Sequence, residues 1–244
     1  MIHQLAKMKL ADVQFQPWHT LVDRFYICQS CSWVDTDNDR IKVGTPCKHC
    51  GQPSPAARMY SWLNATVLVN AIQDFYFLRR AKPQPDPDGI TNHIHTNETD
   101  TRVVIPLLFC TLWEVLTTRL CVEILRAKAV DKTLQDRLLL DYRHAREKRE
   151  KLFLGLTGEK WNDALAELTK SSELNYASHF DFFLNINRKR NAFIHEGSHW
   201  DFSDEELEKI PEELWPVFSL FAQLHNRYIP KFLRCQESCP NGTA

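Results

Sequence analysis

Glycine is scarce in this chain, at seven residues in 244. A fold built on tight β-turns needs more. There is also no sustained Val/Ile/Thr alternation outside the N-terminal part, and both facts favour helices over a β-sandwich. Charge of one sign is lacking as well. The formal net charge is −1, so no global field draws the chain to nucleic acid, and any polyanion site has to be a local basic patch. Long hydrophobic runs are missing. The longest, "VVIPLLFCTLW" at 103–113, falls well short of the roughly 20 residues of a membrane span. The opening "MIHQLAKMKLADVQ" has no apolar core or cleavage site of a signal peptide. The expectation is a cytoplasmic protein without a membrane partner. On that expectation the Asn-x-Ser/Thr matches at Asn64, Asn97 and Asn241 are chance. The cysteines are then metal ligands or core residues before they are disulfides.

What is present divides the chain in two. Hydrophobic residues make up 43%, enough for a real core, and the length fits one domain with a small appendage. Residues 1–55 carry Cys28-Gln-Ser-Cys31 and Cys47-Lys-His-Cys50. Each Cys-x-x-Cys can fold as a knuckle presenting two thiolates, and two knuckles at this spacing close a tetrahedral four-cysteine site around Zn²⁺. Gly51 allows the tight turn after the second pair. His49 sits inside a knuckle, but four cysteines already suffice. A closed thiolate site has no open position, so the zinc is expected to be structural and no catalytic metal is implied. The segment resembles a zinc ribbon, a module that binds nucleic acid or protein or caps a neighbour. Each half is expected to have its own source of stability.

Residues 56–234 read as helices, giving a mainly α fold. Over 56–82, Met59, Leu63, Val67, Ile72, Phe75 and Leu78 recur at helical spacing. Residues 82–100, with three prolines, read as an exposed loop whose His93 and His95 lack a third ligand. Helices are then expected over about 102–129, 131–155 (ended by Gly155), 159–170 and 172–195 (ended by Gly197). Pro106 is placed near the start of the first of these. A further helix starts at a Ser203 cap with an acidic first turn and is broken or begun at Pro216. Residues 235–244 read as a frayed tail, where Cys235 and Cys239 offer only two ligands.

One stretch, "NINRKRNAFIHEG" (185–197), is unusual. Asn191 and His195 are i, i+4 and share a helix face, with Arg190 bordering it. A bland role exists, since Arg and His offset the negative end of a helix dipole and Gly197 fits a left-handed cap. The context asks for more. Glu114 is the only charge between Arg102 and Arg119. A carboxylate in so apolar a helix is expected to be partly buried and to need a cation, and Arg190 is the partner of choice. The basic residues of "YRHAREKREK" and "NRKRN" offer a phosphate track, or solvated helix faces.

An all-α bundle ending a motif helix with "RNAFIHEG" resembles the HEPN superfamily, whose signature is Arg, four to six residues beginning with a polar one, then His. The resemblance covers roughly residues 100–234, within a HEPN-like all-α domain taken as 56–234, and is specific in the motif itself. It implies a HEPN-like helical bundle and a metal-independent endoribonuclease with a toxin or defence role. It implies a homodimer whose two motif helices meet at one cleft, with RNA as substrate and an inhibitor or antitoxin as a further partner. It makes Arg190 and His195 catalytic, Asn191 supporting, and Glu114 the acidic residue some members place on an earlier helix. A subset carries a tyrosine two residues after the histidine; Gly197 stands there here, so control by modification of that tyrosine is not expected. The competing expectation is a non-catalytic module in which zinc ribbon and bundle bind RNA or protein.

Overall fold

The computed structural model describes residues 25–35, 45–53, 56–58, 63–80, 96–198 and 201–237. The fold is mainly α, with one small sheet near the N-terminus. Three short strands, β1 (Tyr26–Cys28), β2 (Val34–Asp35) and β3 (Ala56–Arg58), form an antiparallel sheet in the order β2-β1-β3. Ile27 pairs with Val34 on one side and with Ala57 on the other. Residues 56–58 therefore belong to the small sheet and not to the helix expected from residue 56.

The helices follow as α1 (Leu63–Arg80), α2 (Thr96–Ala127), α3 (Lys132–Asp141), α4 (Ala145–Glu147), a π-helical turn over Lys148–Leu152, α5 (Phe153–Thr157), α6 (Trp161–Lys170), α7 (Tyr176–Glu196) and α8 (Asp204–Glu237). On α1 the buried apolar positions are Ala65, Val69, Ile72 and Tyr76, while Val67 is 64% exposed. Residues 96–100, expected in a loop, open α2, and His93 and His95 lie outside the described residues. Pro106 lies well inside α2. The expected helix over 131–155 is divided at Tyr142–His144 and again by the π turn. It closes at Gly158 (φ +76) and not at Gly155, which is helical. α8 runs unbroken through Pro211, Pro216 and Pro230 to Glu237. Each internal proline forfeits a backbone hydrogen bond. Continuous burial of Ile210, Leu214, Val217, Phe218 and Phe221 holds the segment helical regardless. Cys235 therefore stands in α8, and Cys239 lies outside the described residues.

α2 is the central helix and packs against α1, α7 and α8. Its stretch Thr101–Ala127 is long and apolar enough to cross a membrane by length and composition, contrary to what run length alone suggested. Half of its most apolar window is buried within the fold, as expected of a helix that is apolar on most sides at the centre of a bundle. Trp113, fully buried on α2, stacks on Phe183 of α7 with centroids 4.6 Å apart and meets Phe221 of α8 edge-on at 5.6 Å. This contact sets where α7 lies on α2.

The N-terminal sheet is docked on α8, and among the described residues its buried side chains Phe25 and Val34 belong to the core of the helical part. Phe25 is fully buried between Trp215 (5.4 Å) and Phe218 (5.9 Å), and it shares one hydrophobic cluster with Trp113 and Phe183. Asn226 of α8 behaves as a strand partner. Its Oδ1 accepts from Val34 N–H and its Nδ2 donates to Val34 O, both at 2.7 Å and buried. Next to it, His225 Nε2 donates to Ser32 O at 2.8 Å while Nδ1 faces Glu123 Oε2 at 3.1 Å. Asn226→Ala leaves a buried N–H and a buried C=O unpaired. It is expected to cost about 2–6 kcal/mol, at about 1–3 kcal/mol per unsatisfied group. Chemical denaturation monitored by tryptophan fluorescence checks this, and a loss under 0.5 kcal/mol, about the scale of a neutral surface change, would show the docking to be incidental.

Candidate functional sites: a four-cysteine centre and the Arg190–His195 helix

The two knuckles are built alike. Cys28 O accepts from Ser32 N–H at 2.8 Å and Cys47 O from Gly51 N–H at 2.7 Å. Cys28 N–H donates to Trp33 O at 2.8 Å and Cys47 N–H to Gln52 O at 3.0 Å. The residue after each second cysteine has a left-handed backbone, Ser32 at φ +57 and Gly51 at φ +70. Glycine was expected at one of them for this reason. Serine at the other carries the steric cost of its Cβ. The repeated turn aims four sulfurs at one point. Cys28 and Cys50 Sγ are 4.0 Å apart, Cys31 and Cys47 Sγ 3.7 Å, and all four lie within 4.8 Å of one another. Ligands bound at 2.3 Å to a tetrahedral ion stand about 3.8 Å apart, so the four cysteines fit a metal ion. The chemistry of the donors agrees. Burial pushes the Cys31 thiol well above its usual range and the neighbouring thiols push it further, so a cation is what would make four adjacent thiolates stable. His49 is outside this set, stacked on Trp33 with centroids 4.1 Å apart.

The second site lies on α7. Asn175 caps its start, accepting from Ser178 N–H at 3.1 Å. Gly197 (φ +63) ends it, with Ser198 N–H returning to Ala192 O at 3.3 Å. Tyr176, Phe180, Phe183 and Ile186 are buried. Arg190 lies seven residues beyond Phe183, so it falls on the same stripe and faces α2. There its Nη1 meets Glu114 Oε1 at 3.6 Å. The pairing expected from sequence is present as an ion pair and is too long for a hydrogen bond. Glu114 is also less buried than expected, its side chain keeping 40% exposure against 20% for Arg190. Arg190 Nη1 donates to Asn191 Oδ1 at 2.9 Å, and its Nε is buried without a hydrogen-bond partner among the described residues. Beneath them, burial pushes the Cys110 thiol up to about 12, with Arg190 opposing.

His195 is exposed and makes no hydrogen bond or ion pair among the described residues. Five residues after Arg190, it lies about 140° further round the helix at 100° per residue. The structure thus joins Glu114, Arg190 and Asn191, and it leaves His195 at the surface on the far side of Asn191. Leu184 and Ile194, 40% and 45% exposed, flank that surface.

Two residues of this neighbourhood were not singled out from sequence. Lys148 and Arg149, at the π turn, are 9% and 5% exposed. The Arg149 guanidinium lies 5.4 Å from the Phe180 ring centre and 5.3 Å from that of Phe183, with Nη1 unpaired. Burial pulls its pKa below the usual guanidinium value, against the field of Glu150 and Glu114. "REKREK" reads as a solvated face at a period of 3.6 because nothing local signals the inserted residue of a π turn.

Comparison with family models, with curated proteins and with solved structures gave no match.

Proposed function

We propose that this chain is a HEPN-type endoribonuclease acting as a homodimer, with its four-cysteine centre loaded by one structural Zn²⁺ in a reducing compartment such as the cytoplasm. The observation that carries the reading is the placement of Arg190 on Glu114 and Asn191 while His195, at the end of the same helix, stays exposed and unpaired. RNA brings its own nucleophile, the 2′-OH. A solvent-facing imidazole can take that proton or protonate the leaving 5′ oxygen, and an oriented guanidinium can stabilise charge developing on the phosphate. The cut would leave a 2′,3′-cyclic phosphate and a 5′-hydroxyl. Within one chain Arg190 and His195 face different ways. A second copy across the Leu184–Ile194 surface would add a second histidine and allow one base and one acid. Zinc suits the cysteine centre because all four donors are thiolates at tetrahedral spacing, with no position open for substrate.

The test incubates purified wild type and His195→Ala with total cellular RNA and follows association by sedimentation. The expected result is cleavage by wild-type dimer alone. Intact RNA with wild type, or cleavage retained by His195→Ala, would overturn the reading. Cleavage by a strict monomer would overturn the dimer. The second reading, a non-catalytic RNA- or protein-binding module, draws on Arg190 being already engaged by Glu114. It predicts binding without cleavage.

A further inference from the structure

A cleft of about 370 Å³ opens beside Glu114, lined by Asn64, Thr118, Arg119, Arg143 and Lys148 among others. Its volume is in the range of small-ligand sites. Its lining carries three cations, Arg119, Arg143 and Lys148, against one carboxylate, Glu114, and that carboxylate is shared with Arg190. The cations are poorly neutralised. Lys148 is nine-tenths buried, yet its ammonium has a single partner among the described residues, Arg143 O at 3.2 Å, which leaves two N–H groups for another acceptor. Arg143 spends its Nε on Leu140 O at 3.2 Å and has no ion pair among the described residues. Arg119 Nε is buried without a hydrogen bond among the described residues, and its ion-pair carboxylate, Glu123, stands 3.8 Å away and faces His225 as well. Basic residues close by in the chain behave differently. Arg146 pairs with Glu150 at 2.7 Å and Lys151 with Glu147 at 3.5 Å. The π turn over Lys148–Leu152 marks where this basic stretch turns inward, from exposed Arg146 to buried Lys148 and Arg149. A largely buried lysine with one hydrogen-bond acceptor, sharing a cleft with two arginines, suits a multiply charged oxyanion.

We infer that this cleft binds a phosphate group through Arg119, Arg143 and Lys148, and that the group belongs to the RNA chain beside the scissile step. Thr118 and Asn64 supply neutral donors at its rim. The inference rests on the ribonuclease reading for its choice of RNA, whereas the phosphate chemistry stands on the cleft itself. It also gives Glu114 a second role, since the carboxylate lies between the cleft and Arg190 and holds the phosphate off that side by repulsion.

The experiment measures binding of a short single-stranded RNA and, separately, of AMP to full-length protein carrying His195→Ala, so that nothing is cut. Arg143→Gln and Lys148→Met are added singly and together. Arg143 is exposed, so Arg143→Gln remains informative if Lys148→Met fails to fold. Each single variant should flatten the dependence of log affinity on log salt by about 0.7, the counterions released by one phosphate contact on a single strand, and the double variant by about 1.4. AMP affinity should fall in parallel. RNA affinity and salt slope unchanged in Arg143→Gln would overturn the inference. Loss of AMP binding with RNA binding intact would keep a phosphate site and overturn its assignment to the RNA chain, making a free nucleotide the ligand. The ribonuclease reading fails separately, if wild type leaves RNA whole while these binding losses are still seen.

Discussion

His195→Ala is expected to lower RNA cleavage by about 100-fold or more, the scale of losing a general acid or base, with little change in melting temperature. The small stability effect follows from the structure. His195 is exposed and unpaired among the described residues, so its removal opens no cavity and strands no partner. Arg190→Ala should be as harmful to cleavage but less innocent structurally, because Arg190 is held between Glu114 and Asn191. Arg190→Lys should rescue little, since a point charge reproduces neither the reach to Asn191 nor a bidentate grip on phosphate. A single 2′-deoxy nucleotide at the scissile position should block the cut, and DNA should be inert, because in the proposed reaction the motif would supply proton transfer and charge stabilisation but no nucleophile. Among the described residues only the four cysteines gather three or more His, Cys, Asp or Glu ligand atoms at one point. The proposed reaction routes no step through a metal, so cleavage should persist in EDTA while the cysteine centre stays loaded. Cleavage that needs added Mg²⁺, or that proceeds on the 2′-deoxy substrate, would refute the assignment.

Losing the metal should damage more than the knuckles. Protein kept reduced throughout is expected to carry about one Zn²⁺ per chain. Cys28→Ser, or forced chelation, should release the segment that holds β1 and β2, because a three-strand sheet this short has little stability without its staple. Each half was expected to be independently stable; the packing argues otherwise. Phe25 and Val34 belong to the same buried cluster as Trp113 and Phe183. His225 and Asn226 are buried, with the backbone of Ser32 in the first knuckle and of Val34 in β2 as their partners. Undocking exposes Phe25 and the face of α8 around Phe218, at about 1.5–3 kcal/mol for each large apolar side chain. The helical part should keep its circular dichroism yet lose about 3 kcal/mol or more in denaturant. A bundle with unchanged denaturation midpoint in Cys28→Ser, or reduced protein free of zinc, would show this coupling to be absent.

The features that were legible in advance are those written in local spacing. Two Cys-x-x-Cys pairs dictate two knuckles because each turn closes within five residues. Gly51 and Gly197 announce left-handed backbone, and both have it, at φ +70 and +63. Ser203 and Glu206 form a reciprocal cap, Glu206 N–H to Ser203 Oγ at 3.2 Å and Ser203 N–H to Glu206 Oε2 at 3.0 Å. The lone Glu114 on an apolar helix pointed to a distant cation, and Arg190 is beside it.

Tertiary structure decided the rest. Gly155, Pro211 and Pro216 are breakers by propensity and are helical here, because burial of whole helix faces outweighs a local penalty. Lys148 and Arg149 look like surface charges until a π turn carries them inward. The fate of Arg190 and His195 turned on which stripe of α7 Trp113 would claim. Stacking on Phe183 points Arg190 at α2 and leaves His195 outside. Asn226 gave no local sign that it would serve as a strand partner for Val34, 192 residues earlier in the chain. Caps, knuckles and turns depend on neighbours a few residues away, so sequence alone determines them. Which face is buried, and which charges meet, depends on contacts between distant segments, and only the packed chain brings those together.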